Sequence, residues 1–187
     1  MHSFDNLGKA ACVCLSPDAR LVAVGITPSQ YDVADPVDKP TLRCLDVASG
    51  RDLYPGLTKE MFGLFVPALA FSSDGKRLAC ACHSMANNGR RFYEDAYKVK
   101  VWSLPASSDT ASSSAPTLVA TIDLKPKSEA LGVALGGGGG SVLAVRLRDG
   151  VLLWDLKKGA ESRSAWYVVA INLIAIIVLP DAAFISP

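Results

Sequence analysis

The chain has 187 residues, half of them hydrophobic and a fifth charged, a composition that supports a buried core and excludes a disordered chain. With 19 basic against 18 acidic residues the net charge is +1, and basic residues cluster only as pairs such as Arg90-Arg91, so nothing points to nucleic acid or to an anionic membrane. Five cysteines, an odd count, exclude a fully paired disulfide framework, and residues 1–9 lack the apolar stretch of a secretory signal, which together point to a reduced, cytoplasmic setting.

In chain order, the first apolar run is Ala11-Cys12-Val13-Cys14-Leu15. A turn, Ser16-Pro17-Asp18-Ala19, leads into a second run over residues 20–26. After an insertion over 27–40, a third run covers 41–47. The pattern then repeats. Val66-Pro67-Ala68-Leu69-Ala70-Phe71 is followed by the turn Ser72-Ser73-Asp74-Gly75, by a run over 76–82, by a polar loop over 83–97 and by a run over 98–104. A third copy has apolar runs over 130–135, 141–145 and 150–156, with a turn of five glycines over 136–140. Strand, tight turn, strand, loop, strand is an antiparallel meander. Leu45, Trp102 and Trp154 share one slot at spacings of 57 and 52 residues, longer than the ~40–45 residues of an ordinary propeller blade because loops are inserted. The Ser/Ala/Pro-rich stretch 105–117 reads as an inserted surface linker. No single sheet of three or four strands can bury both of its faces, so neighbouring copies must cover one another.

These residues resemble the WD-repeat β-propeller family. Ser16-Pro17-Asp18-Ala19 and Ser72-Ser73-Asp74-Gly75 look like that family's first turn. Arg148-Asp149-Gly150-Val151-Leu152-Leu153-Trp154-Asp155 looks like its final turn and strand, with Trp102-Ser103 and Leu45-Asp46 as weaker versions. The family's Gly-His pair is absent, since neither His2 nor His83 follows a glycine, so the blade's polar staple cannot form in full and apolar burial has to hold the blades. The expected fold is all-β, a partial β-propeller of about three and a half four-stranded blades. The expected units are 10–60, 64–104 and 118–160, with a partial unit over 165–187.

The apolar run 165–179 has two readings. It is 15 residues long against the ~20 of a membrane-spanning helix. Its β-branched content, and the match of Leu179-Pro180-Asp181-Ala182 to the first copy's turn in three of four positions, favour an inner strand of a fourth blade. A chain ending mid-blade would be completed by another chain or by further sequence.

No catalytic, cofactor or metal site is expected. Cys12-x-Cys14 and Cys80-x-Cys82-His83 lack the Cys-x₂₋₄-Cys turn spacing that zinc favours, and small buried cysteines pack as hydrophobes. The glycine run lacks the Lys-Ser/Thr and the following helix of a phosphate-binding loop. His83 reads as an exposed loop histidine. The binding candidates are Arg90, Arg91, Phe92 and Tyr93, which combine cations and aromatics in the long 83–97 loop, with an extended hairpin as the competing reading. As the resemblance implies, the expected function is a non-catalytic scaffold that binds other proteins through loops on the propeller faces. The alternatives are a module tethered to a membrane by 165–179, or a propeller regulatory part of a larger enzyme.

Overall fold

The computed structural model describes residues 9–27, 41–55, 57, 61, 64–87, 92–105, 115–124, 129–148, 150–158 and 160–165. Within them are eleven strands in three antiparallel sheets. Sheet one is β1 (Lys9–Leu15), β2 (Leu21–Thr27) and β3 (Leu42–Asp46), in that order. Sheet two is β4 (Leu64–Phe71), β5 (Arg77–Asn87), β6 (Phe92–Ser103) and β7 (Thr117–Asp123). Sheet three is β8 (Ala130–Gly136), β9 (Val142–Leu147), β10 (Val151–Asp155) and β11 (Ala160–Ala165). Each sheet is an up-and-down meander, and consecutive sheets stack through their first strands: β4 lies against β1 on one side and β8 on the other.

Two of these strands were not assigned by the repeat reading. β11 closes sheet three. β7 pairs with β6 from Ser103↔Thr117 to Lys98↔Asp123, so residues 117–123 complete sheet two, although the sequence reading placed 118–160 in the third unit. The reason is physical. An outermost strand is covered on little of its surface, and in β7 Ile122 is the one buried side chain, so its apolar signal is weak.

The first two turns close by the same hydrogen bonds. The Ser16 hydroxyl donates to Asp18 Oδ1 (2.6 Å) and accepts from the Leu21 N–H (2.9 Å), while Arg20 N–H donates to Asp18 Oδ1. Ser72, Asp74, Lys76 and Arg77 repeat that pattern at 2.6, 3.0 and 2.9 Å. These donors hold both carboxyls below the usual carboxylate range, the serine hydroxyl contributing most. The turn's fourth position needs a left-handed backbone: Gly75 has φ 68° and Ala19 φ 55°. The third sheet replaces this chemistry with backbone freedom, Gly137, Gly139 and Gly140 all having positive φ.

Strand register aligns the three sheets row by row. Leu15, Val22 and Leu45 stand abreast in sheet one, as do Phe71, Leu78 and Trp102 in sheet two and Leu135, Leu143 and Trp154 in sheet three. We call the face bearing this row the leading face. The next row belongs to the trailing face: Cys14, Ala23 and Cys44, then Ala70, Ala79 and Val101, then Ala134, Ala144 and Leu153. The leading face of sheet two packs on the trailing face of sheet one, forming one core with Leu78, Trp102, Ala23 and Cys44. The leading face of sheet three packs on the trailing face of sheet two in a second core with Leu143, Val145, Ala79 and Val101. Large side chains meet small ones at both contacts, which lets the sheets approach closely.

Candidate interaction surface

Among the described residues, the β5–β6 hairpin departs from the repeat. Its strands have 11 and 12 residues, against 7 and 5 for β2 and β3 and 6 and 5 for β9 and β10. The polar stretch 83–97, expected as a loop, is therefore mostly strand: pairing continues through Met85↔Glu94 and Ala86↔Tyr93 to Asn87↔Phe92. The register shifts between His83 and Met85, where the hairpin leaves the sheet proper. Of the predicted binding residues, Phe92 and Tyr93 begin β6 beside the hairpin's tip, and Arg90 and Arg91 lie outside the described residues.

At the base of the hairpin an aromatic row spans three strands. Phe65, His83 and Tyr97 stand abreast, with ring centroids 4.8 and 5.0 Å apart on the two sides of the imidazole and interplanar angles of 48° and 54°. His83 is thus a buried strand residue, 5% exposed, and not the exposed loop histidine that its polar neighbours suggested. Offset, tilted ring contacts of this kind are favourable and directional, so they stiffen the root of the projection. The Tyr97 carbonyl accepts from Leu124 N–H at 2.9 Å, fastening β6 to the end of β7. The adjacent Lys98–Asp123 ion pair, at 2.9 Å, is exposed and adds little.

The turns between the first and second strands line up on one side. A Cβ on Gly75 would stand 3.6 Å from Pro17 Cδ, and one on Gly140 would stand 2.8 Å from Ser72 Cβ. Arg77 Nη1 donates to the Gly140 carbonyl at 2.9 Å, joining the second turn to the third. The glycine run is thus a hairpin turn packed against its neighbour.

All five cysteines are free and converge on the contact between sheets one and two. Cys12, Cys14 and Cys44 come from sheet one, and Cys80 and Cys82 face them from sheet two. Burial pushes Cys12 up to about 11 and Cys14 and Cys44 up to about 12, and it raises Cys80 as well. Cys82 is held down, mainly by the neighbouring Cys80 thiol and with help from Lys100 and Lys98, but is only 2% exposed. Cys12 donates to the Val66 carbonyl across the sheets at 3.2 Å. Among the described residues no group of three or more His, Cys, Asp or Glu side chains is arranged to hold a metal ion. No helix among them is long and apolar enough to cross a membrane, and apart from Ala165, which ends β11, the run 165–179 lies outside the described residues.

The same architecture recurs in solved structures. The chain superposes on the β-propeller domain of Myceliophteria thermophila Cps50 (Swd1) with a TM-score of 0.54 at 11% identity, 82% of this chain matching 42% of that one. It superposes on the RRP9 WD40 repeats with a TM-score of 0.54 at 16% identity, covering 84% of this chain and 38% of that one. For U3-55K the TM-score is 0.53 at 17% identity, with 84% and 39% covered. The chain therefore has the fold of part of a WD40 β-propeller, and it spans less than half the length of each of these structures. No protein-family model and no curated protein matches the sequence.

Proposed function

We propose that the chain is a non-catalytic protein-interaction module that recognises its partner with the projecting β5–β6 hairpin. One observation carries this reading: among the described residues, β5 and β6 outrun the equivalent strands of both neighbouring sheets. Pairing from Met85↔Glu94 onward carries the hairpin about four residues past the row at His83, or ~14 Å at ~3.4 Å per residue. Among the described side chains, the members of the two inter-sheet cores nearest the hairpin are Cys82 in β5 and Val99 in β6. Phe92 and Tyr93 open β6, and Arg90 and Arg91 precede them in the sequence; Arg and aromatic residues are enriched at protein interfaces.

Binding suits the chemistry better than catalysis. The thiols sit in a core with most of their acidities suppressed, and the one imidazole among the described residues is buried between two rings. Free thiols at this density fit a reducing, cytoplasmic compartment. The test is a proteomic pull-down comparing wild type with the Arg90→Glu/Arg91→Glu double variant and with a chain whose hairpin is cut back to the His83↔Tyr97 row. Loss of the same partners from both variants, with circular dichroism unchanged, is the expected result. Retention of every partner by the shortened hairpin removes it as the binding site.

A further inference from the structure

Beyond the row at His83 the hairpin is a two-stranded ribbon. β4 pairs with β5 no further than Leu64↔Ser84, and β7 pairs with β6 no further than Lys98↔Asp123. Past those points β5 and β6 pair with each other through Met85↔Glu94, Ala86↔Tyr93 and Asn87↔Phe92, and among the described residues no third strand joins either edge. Two strands by themselves are marginally stable in water, and an open strand edge is a template for a further strand. Among the described residues, β6 has its outer edge open from Phe92 to Ala96, and β5 only from Met85 to Asn87. The charges along the β6 edge have an order. The sequence reads Arg90-Arg91-Phe92-Tyr93-Glu94-Asp95: two cations, two aromatics, two anions. Set against its own reverse, as an antiparallel partner strand runs, it complements itself. A two-fold axis between Phe92 and Tyr93 places Arg90 opposite Asp95, Arg91 opposite Glu94 and Phe92 opposite Tyr93, each twice by symmetry. A shift of register by one or two residues in either direction leaves at least two of these four charged positions unmatched. Opposite charges and aromatic pairs directly across an antiparallel ladder attract, and like charges repel.

We infer that the hairpin's partner is a second copy of this chain, the open edges of the two β6 strands pairing antiparallel about a two-fold axis between Phe92 and Tyr93. This rests on the reading of the hairpin as the binding surface and adds what that surface binds. The order of the charges names the occupant. A foreign strand would have to bring acidic residues to one end of the edge and basic residues to the other, and β6 with the two arginines before it already does so. Pairing draws positions 90 and 91 into the ladder and makes one four-stranded sheet of two ribbons. β6 runs from the hairpin's tip back to the sheets, so antiparallel pairing near its start points the two stacks of sheets away from each other and only the ribbons have to touch. The contact is isologous and uses each edge once, so it closes at the dimer and does not propagate.

The experiment exchanges the charges. Light scattering after gel filtration, across a dilution series, compares the wild-type full chain with Arg90→Glu/Arg91→Glu and with Glu94→Arg/Asp95→Arg, and circular dichroism checks that each keeps its fold. The wild type is expected to be a dimer. Each variant by itself sets like charges opposite one another, and its dimer dissociation constant should rise by ~10-fold or more as the attractive pairs are lost. An equimolar mixture of the two variants should regain the wild-type affinity, because each strand then meets the reversed charges of the other. A variant that merely misfolds is not rescued by mixing. A wild type that is monomeric at every concentration, a dimer that either variant leaves unchanged, or a mixture no tighter than its components overturns the second copy as partner. None of these results bears on other proteins held by the hairpin. That reading fails instead in the pull-down, when the shortened hairpin keeps every partner.

Discussion

Trp102 and Trp154 occupy the same slot in consecutive sheets and have different surroundings. Trp102 is 1% exposed, whereas Trp154 is half-buried. The core around Trp102 also takes in Tyr54, Leu57 and Met61 from the segment after β3, which is tied down by Tyr54 OH donating to the Pro105 carbonyl at 3.1 Å and by the Thr41 hydroxyl donating to the Met61 carbonyl. The core around Trp154 has instead the outer strand β7, which contributes Ile122 and Ala120. A repeated residue is therefore worth what its neighbours outside the repeat make of it. The first contact is sealed by large side chains from a segment that has no counterpart in the second among the described residues.

Trp102→Ala is expected to cost about 3–5 kcal/mol in urea unfolding. Trp154→Ala should cost less, because part of that side chain already lies in solvent. Equal losses would remove the distinction between the two contacts. Next in size is Gly25→Ala, whose Cβ would stand 2.6 Å from Cys12 Sγ and 2.8 Å from the Val66 carbonyl. Overpacking there should destabilise by about 1–3 kcal/mol, while Gly132→Ala, whose Cβ would meet Arg146 Cβ at 3.7 Å, should stay within about 0.5 kcal/mol.

A smaller effect separates the two hydrogen-bonded turns. Ala19 holds φ 55° where its counterpart is glycine, so Ala19→Gly should stabilise by about 0.5–1 kcal/mol and Gly75→Ala should destabilise by a similar amount. Thermal melts of the pair in one buffer would show opposite shifts; shifts of the same sign would mean the turns are not equivalent.

One effect appears only in alkaline solution. Cys12, Cys14 and Cys44 have folded values of about 11 to 12 against an unfolded value near 9. A raised folded value means the stabilisation is complete below pH 9 and is lost between pH 9 and 12, as the unfolded chain sheds protons that the folded chain keeps. Unfolding free energy should fall over that window, and replacing the three thiols by Ala should flatten the dependence. An unchanged slope would mean that these thiols are not protected by the sheet contact.

Much of the fold is legible in the residues because its signals are local. Ser16-Pro17-Asp18 and Ser72-Ser73-Asp74 carry their turn chemistry within four residues, and the alternation in residues 66–71 and 98–104 marks strands covered on both faces. β7 and β11 escape such a reading, since an outer strand half in solvent needs no strict apolar pattern. The hairpin escapes for a related reason. Residues 84–87 and 92–96 are polar enough to read as loop, yet they hold strand geometry by pairing with each other. His83 looks like the first residue of that loop and is instead the middle ring of an aromatic row that exists only once three strands are abreast.

The sequence by itself determined the meander, its three copies, the turn chemistry and the need for sheets to cover one another, because each follows from alternation, backbone preference and the amount of apolar surface to be hidden. Only the tertiary structure decided which sheet β7 joins, that five cysteines separated by up to 70 positions meet in one core, and that the long loop is a projecting hairpin. These depend on contacts between residues far apart in the chain, and no local pattern encodes them.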